Sequence, residues 1–466
     1  MTDPKPAETD DRVATRELTT TTTNLFPRTF DEYPEIVRGE GIYIYDAAGN
    51  EYLDAVAGNQ CSNIGHGVEA VAEAARDQMG TLEYTSSILS VNEPAQRFAE
   101  RMASFLPDGF SHTWMVSGGS EANESAFKLA REYHRETGNP EKRIVIGRRL
   151  SFHGNTLGTL GAGGMPARRE PFVGMMQDWP KAPAAYPYRC RFCADEEECR
   201  DHGAECAKQL DQVIRDVGAD HVSAFIAEPL VGAANAAVVP GDEYFPTVRD
   251  ICDDHDVLLI VDEVMSGMGR TGENFAIEHW DVTPDIITSA KGMSAGYTPL
   301  GGAMPHDRLV DVFADKDDGF THGHTFSFNP TTSAIATAVL DYVDEHDLVA
   351  NARDVGAYTR ERFEEFHDYD FVGDVRGKGL MLGVEFVEDR ETGEPLEAGG
   401  PQFRKRLFRT ALENRVTVYP GGGSVDGERG DHVLLTPPLT VSRADVDEMM
   451  DRLHGTFGDV GERLRG

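Results

Sequence analysis

The residue types able to do chemistry gather most densely between Asp262 and Lys291. Val257-Leu-Leu-Ile-Val-Asp262-Glu263 is an apolar run that ends on two carboxylates. Open α/β sheets place ligands beyond the carboxyl ends of their strands, and a carboxylate delivered there needs a cation or hydrogen-bond donors. A helix cap or a core ion pair would use the same residues. Downstream follow Gly267-Met-Gly269-Arg270-Thr-Gly272, Pro284-Asp285-Ile286 and Ser289-Ala-Lys291-Gly292. Only nine of the 44 basic residues are lysine, and Lys291 lies in a small-residue stretch that lets another molecule approach. A partly desolvated lysine amine condenses with aldehydes. Val116-Ser-Gly-Gly119-Ser120-Glu-Ala-Asn-Glu124 opens an amphipathic helix, whose free N–H groups and dipole suit a phosphate. Phe152-His153-Gly154 offers a flat ring for stacking, although His153 alone reads equally well as a core residue. Ala224-Phe-Ile-Ala-Glu228 is a second strand ending in a carboxylate, with a structural ion pair as the alternative.

These groups need a scaffold that aligns strand ends. Short apolar runs at 143–146, 224–227, 257–261 and 286–288 alternate with helical patterns, which predicts a mainly parallel sheet covered on both faces. Residues 41–54 carry a hairpin signal around Ala-Gly-Asn. The stretch 331–343 predicts a long helix, 375–386 a strand, and 401–414 and 442–457 helices. The expected organisation is a mobile tail (1–24), an N-terminal segment joining the small domain (25–94), a large α/β domain (95–333) and a smaller α+β domain (334–466).

With 80 acidic against 44 basic residues, the net charge of −36 disfavours nucleic acid and anionic membranes as partners. An acidic, lysine-poor surface stays hydrated where salt screens self-repulsion, so a halophilic cytoplasmic protein is expected. No apolar segment approaches the ~18 residues of a membrane span, and the polar, acidic start is unlike an export signal. Six cysteines in 466 residues make no disulfide framework.

Taken together, Asp-Glu-Val, Gly-Arg-Thr-Gly, Pro-Asp-Ile and Ala-Lys-Gly at these spacings resemble the class III (omega) family of pyridoxal-phosphate-dependent aminotransferases, fold type I, from about Gly41 to Ser442. The resemblance implies pyridoxal 5'-phosphate as cofactor, with Lys291 forming its Schiff base and moving the substrate proton. It also implies that Asp262 pairs with the pyridine nitrogen, Val264 and Phe152 flank the ring, Gly119 and Ser120 hold the phosphate, and His153 and Glu228 lie near the ring. Thr325 would reach the phosphate bound in a partner subunit, implying a homodimer with shared active sites, or a tetramer built from such dimers. The implied reaction moves an amino group from an amine or ω-amino acid to a 2-oxo acid, pyruvate or 2-oxoglutarate, by a ping-pong mechanism. A decarboxylase, racemase or aminomutase on the same fold is the alternative.

Three features depart from the family pattern. Relatives acting on ornithine or GABA carry a carboxylate-binding arginine where this chain has Leu434, and amine:pyruvate relatives carry a mobile one where it has Tyr419. Arg429, in the Gly-rich loop that follows, is the first candidate to replace that cation, ahead of Arg415, and Gln60 gives the expected substrate pocket a polar wall. Finally, Cys190, Cys193, Cys199 and Cys206 lie within one acidic stretch. Four thiolates suit structural zinc, but the second pair lacks C-x2-C spacing, so free thiols or a disulfide stay open and spacing alone weighs against the metal.

Overall fold

The computed structural model describes residues 26, 33–314, 316 and 319–465, so the N-terminal stretch read as a tail lies outside the described residues. Among these, the large sheet contains β4 (Trp114–Val116), β5 (Ile144–Arg148), β6 (Lys181–Ala182), β7 (Val222–Ala227), β8 (Leu258–Asp262), β9 (Ile286–Ser289) and β10 (Gly301–Pro305). Their order is β4-β10-β9-β8-β7-β5-β6, with β10 antiparallel to both neighbours and the other pairs parallel. Every residue of β7, β8 and β9 is buried, the condition that selects continuous apolar runs over alternating ones. The strands that the pattern did not announce are the two-residue β6, the three-residue β4 and the Gly-rich β10, each too short or too poor in side chains to carry a period.

The register sets up the site. Ala227 pairs with Val261 and Asp262 with Thr288, so Glu228, Asp262 and Lys291 all emerge at one edge of the sheet. The Gly119–Glu136 helix starts at the same edge, just after β4.

A second sheet of β11 (Val372–Lys378), β12 (Met381–Asp389), β14 (Tyr419–Gly422) and β15 (Asp431–Leu435) is antiparallel throughout, with β13 (Glu394–Pro395) on β12. The single strand expected over 375–386 is therefore a hairpin. Gly379 turns it at φ +57, and a Cβ there would lie 2.5 Å from the Thr271 backbone, so the turn sits against the segment after β8 and only glycine fits. The helices Leu348–Phe363, Pro401–Glu413 and Arg443–Arg465 cover this sheet. The N-terminal strands β1 (Ile36–Glu40), β2 (Tyr43–Asp46) and β3 (Glu51–Leu53) form a third sheet, whose Leu53 exchanges backbone hydrogen bonds with Arg415 and Thr417 at 2.9 Å.

Two buried arginines bind the parts together. Arg270 donates to Asn63 Oδ1 (2.6 Å) and to the Leu380 and Pro437 carbonyls. Arg376 donates to Asp374 (2.7 Å), Glu385 (2.9 Å) and the carbonyls of Asn235 and Ala236. The Gly-Arg-Thr-Gly turn thus ties Asn63, the β11–β12 turn and the segment after β15 together, and its arginine does not line the cavity.

Candidate active site

The strand ends and the helix start enclose a cavity of about 340 Å³. Asp262 is the last residue of β8, and the pleat sends it and Glu263 to opposite sides. Glu263 turns inward and is consumed by structure, accepting from Ser266 Oγ (2.5 Å) and Ile277 N (2.8 Å), with burial pushing its carboxyl up to about 7. Asp262 faces the cavity. Its Oδ2 accepts from Asn123 Nδ2 (2.8 Å) and bonds His153 Nδ1 (2.8 Å), while Oδ1 takes the Val264 N–H (3.1 Å). Asn123 is oriented by Thr288, whose hydroxyl donates to its Oδ1 (2.7 Å). These three contacts therefore hold the carboxylate in one orientation.

Lys291 follows β9 and enters the cavity opposite the helix start. Burial pulls its amine down to about 8. Its Nζ donates to Gln60 Oε1 (2.9 Å) and the Asn59 carbonyl (3.0 Å), and among the described residues it makes no ion pair. An amine held by neutral acceptors in a dry site is poised to lose its proton and act as a nucleophile. Lys291 (φ 42) and Gln60 (φ 58) both occupy the left-handed backbone region, a strain that packing must hold in place.

Gly119, Ser120, Phe152, His153, Glu228, Val264 and Tyr419 also line the cavity. Gly119 packs so closely on Val264 that a Cβ would lie 2.9 Å from its methyl carbons, which makes the helix start a bare backbone surface. Ser120 Oγ accepts from Asn155 N at 3.1 Å. Among the described residues, the Glu228 carboxylate takes only long bonds from Phe152 N (3.4 Å) and Gly232 N (3.3 Å), and burial raises it to about 7 against the pull of His153. Tyr419 pairs in register with the buried Leu434, so the two positions that depart from the family pattern are cross-strand neighbours.

Two residues named from the sequence lie elsewhere. Arg429 is on the exposed loop between β14 and β15, its Nε bonded to Asp426 Oδ2 at 2.8 Å. Thr325 is exposed and away from this chain's cavity, its carbonyl accepting from Tyr84 Oη at 3.1 Å. The sequence reading missed Arg168, whose guanidinium sits 4.4 Å from the Phe152 ring centroid at the cavity wall and makes no ion pair among the described residues. No motif marks it. In the short Pro166–Arg169 helix, adjacent arginines point about 100° apart; Arg169 turns to Asp178 and Arg168 to the cavity.

This fold and this constellation define a fold type I transferase. The sequence profile of the Aminotransferase class-III family matches residues 29–457, and the chain belongs to that family. It is 34% identical to a putrescine–pyruvate aminotransferase of Pseudomonas aeruginosa, over 89% of this chain and 88% of that one. It is also 34% identical to a taurine–pyruvate aminotransferase of Bilophila wadsworthia, over 92% and 93% respectively. A thermostable (S)-enantioselective omega-transaminase from Thermomicrobium roseum superposes with a TM-score of 0.87 at 35% identity, covering 95% of this chain and 98% of that one. The protein is a class III aminotransferase, an enzyme of a pyridoxal-phosphate-dependent family.

The residues present fit that cofactor. A bare helix N-terminus suits its phosphate, a carboxylate with a spare lone pair its ring nitrogen, an unpaired amine its aldehyde, and Phe152 and Val264 its two faces. Among the described residues, no helix is long and apolar enough to cross a membrane.

Proposed function

We propose that this enzyme transfers the amino group of a primary amine or ω-amino acid to a small 2-oxo acid, pyruvate first, in two half-reactions at one cavity. The observation that carries the reading is Lys291, a desolvated amine without an ion partner among the described residues, opening into the same space as the Asp262–His153–Asn123 array. Pyridoxal phosphate supplies an electron sink for charge that develops on the substrate carbon. Gly119, Ser120, Phe152, Val264, Asp262 and Lys291 hold it. Lys291 Nζ takes the proton from the substrate carbon that bears nitrogen, and an amine near pH 8 is matched to that exchange at neutral pH. His153 and Asn123 fix the orientation of the Asp262 carboxylate.

Arg168 is the anchor for the acid end of the acceptor. Beside Lys291 it is the only Lys or Arg side chain lining the cavity among the described residues, it has no carboxylate partner, and stacking on Phe152 fixes the plane of its fork. The relatives named for putrescine–pyruvate and taurine–pyruvate transfer support pyruvate as the acceptor. Thr325 serves the cavity of a second copy in a homodimer. In support, Thr325 and Phe326 are exposed beside Tyr84, in a region where Ile88, Leu89 and Val91 are each more than 80% exposed.

The test follows the visible absorbance of the purified holoenzyme while alanine, β-alanine, GABA, taurine, putrescine and a simple monoamine are added singly. Bleaching by a donor and recovery with pyruvate is the expected result. A band that no donor bleaches, or one that no 2-oxo acid restores, overturns the proposal.

A further inference from the structure

Away from the catalytic cavity, the chain between β6 and the Gln209–Val217 helix consists of short helical turns, Pro187–Arg189, Glu196–Asp201 and Ala204–Ala207. Helices of this length are not stable alone. At its centre are four cysteines. The Sγ atoms of Cys190, Cys193, Cys199 and Cys206 all lie within 4.8 Å of one another, and those of Cys199 and Cys206 are 4.0 Å apart. Cys199 and Cys206 are buried, Cys190 and Cys193 half-buried, and all four are free thiols.

We propose that these four cysteines form a structural zinc site. A tetrahedral centre with Zn–S bonds of about 2.3 Å places its sulfurs about 3.8 Å apart, so the thiols converge to within a few tenths of an ångström to 1 Å of that geometry. Two disulfides would need partners at about 2 Å, whereas these sulfurs form one compact cluster without an obvious pairing. A four-iron cluster spreads its ligands wider than this. Sequence spacing alone weighed against zinc because only Cys190 and Cys193 show the C-x2-C pattern. The Glu196–Asp201 and Ala204–Ala207 turns bring the other two sulfurs back to meet them, with the Gly203 backbone at φ 75 reversing the chain between. The Phe192 N–H approaches Cys190 Sγ at 3.5 Å, the kind of backbone contact that supports a metal-bound thiolate. Binding one Zn²⁺ releases four thiol protons and leaves a ZnS₄ unit of charge −2, among which Arg189, Arg191 and Arg200 are interleaved.

The site's role follows from what the segment carries. Arg189 bonds Glu385 of β12 at 2.8 Å through Nε, and Arg200 bonds Asp374 of β11 at 2.7 Å. The same Glu385 and Asp374 receive Arg376. The zinc therefore fixes the loop through which the large domain grips the small sheet. It has no part in the transfer chemistry, and the inference stands whether or not the substrate assignment above holds.

The experiment measures metal in the folded holoenzyme, produced with zinc available and purified without chelators in a thiol reductant. Elemental analysis should find about one zinc per chain. A mercurial titration followed with a zinc-sensitive dye should release the metal as these thiols react. Cys193→Ser, at a half-buried position that folding tolerates best, should lose most of the zinc and lower the melting temperature, whereas Cys61→Ser should keep it. Folded wild-type protein holding less than about a tenth of a zinc per chain overturns the proposal, whether the thiols are free, paired as disulfides or bound to iron. Zinc retained in full by both Cys193→Ser and Cys199→Ser also overturns it.

Discussion

Replacing Arg168 separates the two halves of the reaction. Its guanidinium stands 4.4 Å from the Phe152 ring centroid, makes no ion pair among the described residues and is half-buried. A bidentate pair with a carboxylate contributes more than a neutral hydrogen bond, ~1.5–3 kcal/mol for a charged contact. Partial exposure keeps the value in that range, below the ~2–5 kcal/mol of a fully desolvated pair. At ~1.4 kcal/mol per tenfold, a loss of ~2–3 kcal/mol lowers kcat/KM for pyruvate ~30–150-fold in Arg168→Gln. A monoamine donor has no acid group to lose, so its half-reaction should change less than about threefold, the share expected from altered stacking on Phe152. Arg168→Lys keeps the charge but not the fork and should fall between. Single-turnover absorbance measures each half separately, bleaching with the monoamine and recovery with pyruvate. Equal losses in both halves would show that Arg168 merely supports Phe152. An unchanged pyruvate half would refute the anchor altogether.

Lys291→Ala should abolish turnover, by more than about a thousandfold, because no other lysine among the described residues lines the cavity; residual activity near wild type in steady-state assay would remove the lysine from its role. Glu263 is raised to about 7 from 4.5 by burial, so the folded state binds the extra proton between those values and stability falls as pH rises through that window. The difference in unfolding free energy between wild type and Glu263→Gln should therefore change in the mutant's favour from pH ~4.5 to ~7, by on the order of 3 kcal/mol, and a pH-independent difference would contradict the buried assignment. A net charge of −36 predicts that thermal stability rises from dilute buffer to molar salt, measured by calorimetry, and a flat response would count against a salt-adapted surface.

Legibility in the sequence tracked how local the determinant was. The runs that became β7, β8 and β9 were visible because buried parallel strands demand uninterrupted apolar residues, and Asp262 and Lys291 stood out because their neighbours are small or β-branched. The strand expected over 375–386 became a hairpin because Gly379 has to fit against Thr271, a contact across more than a hundred residues. Arg429 and Arg168 show the same limit from both sides. Arg429 sat beside a position where relatives carry a cation, yet three residues away Asp426 holds it on an exposed loop; Arg168 had no motif, and only the packing of its short helix on Phe152 turns it inward.

Fold class and family were legible in the amino-acid sequence alone, because each depends on residue type over short spans. Tertiary structure alone decided which groups share a cavity and which four thiols lie together. Strand register aligns Glu228, Asp262 and Lys291 at one edge, and two short helical turns fold four cysteine sulfurs within 4.8 Å of one another. Coordination and catalysis depend on distance in space, and a linear pattern specifies that distance only where one regular element carries all the groups.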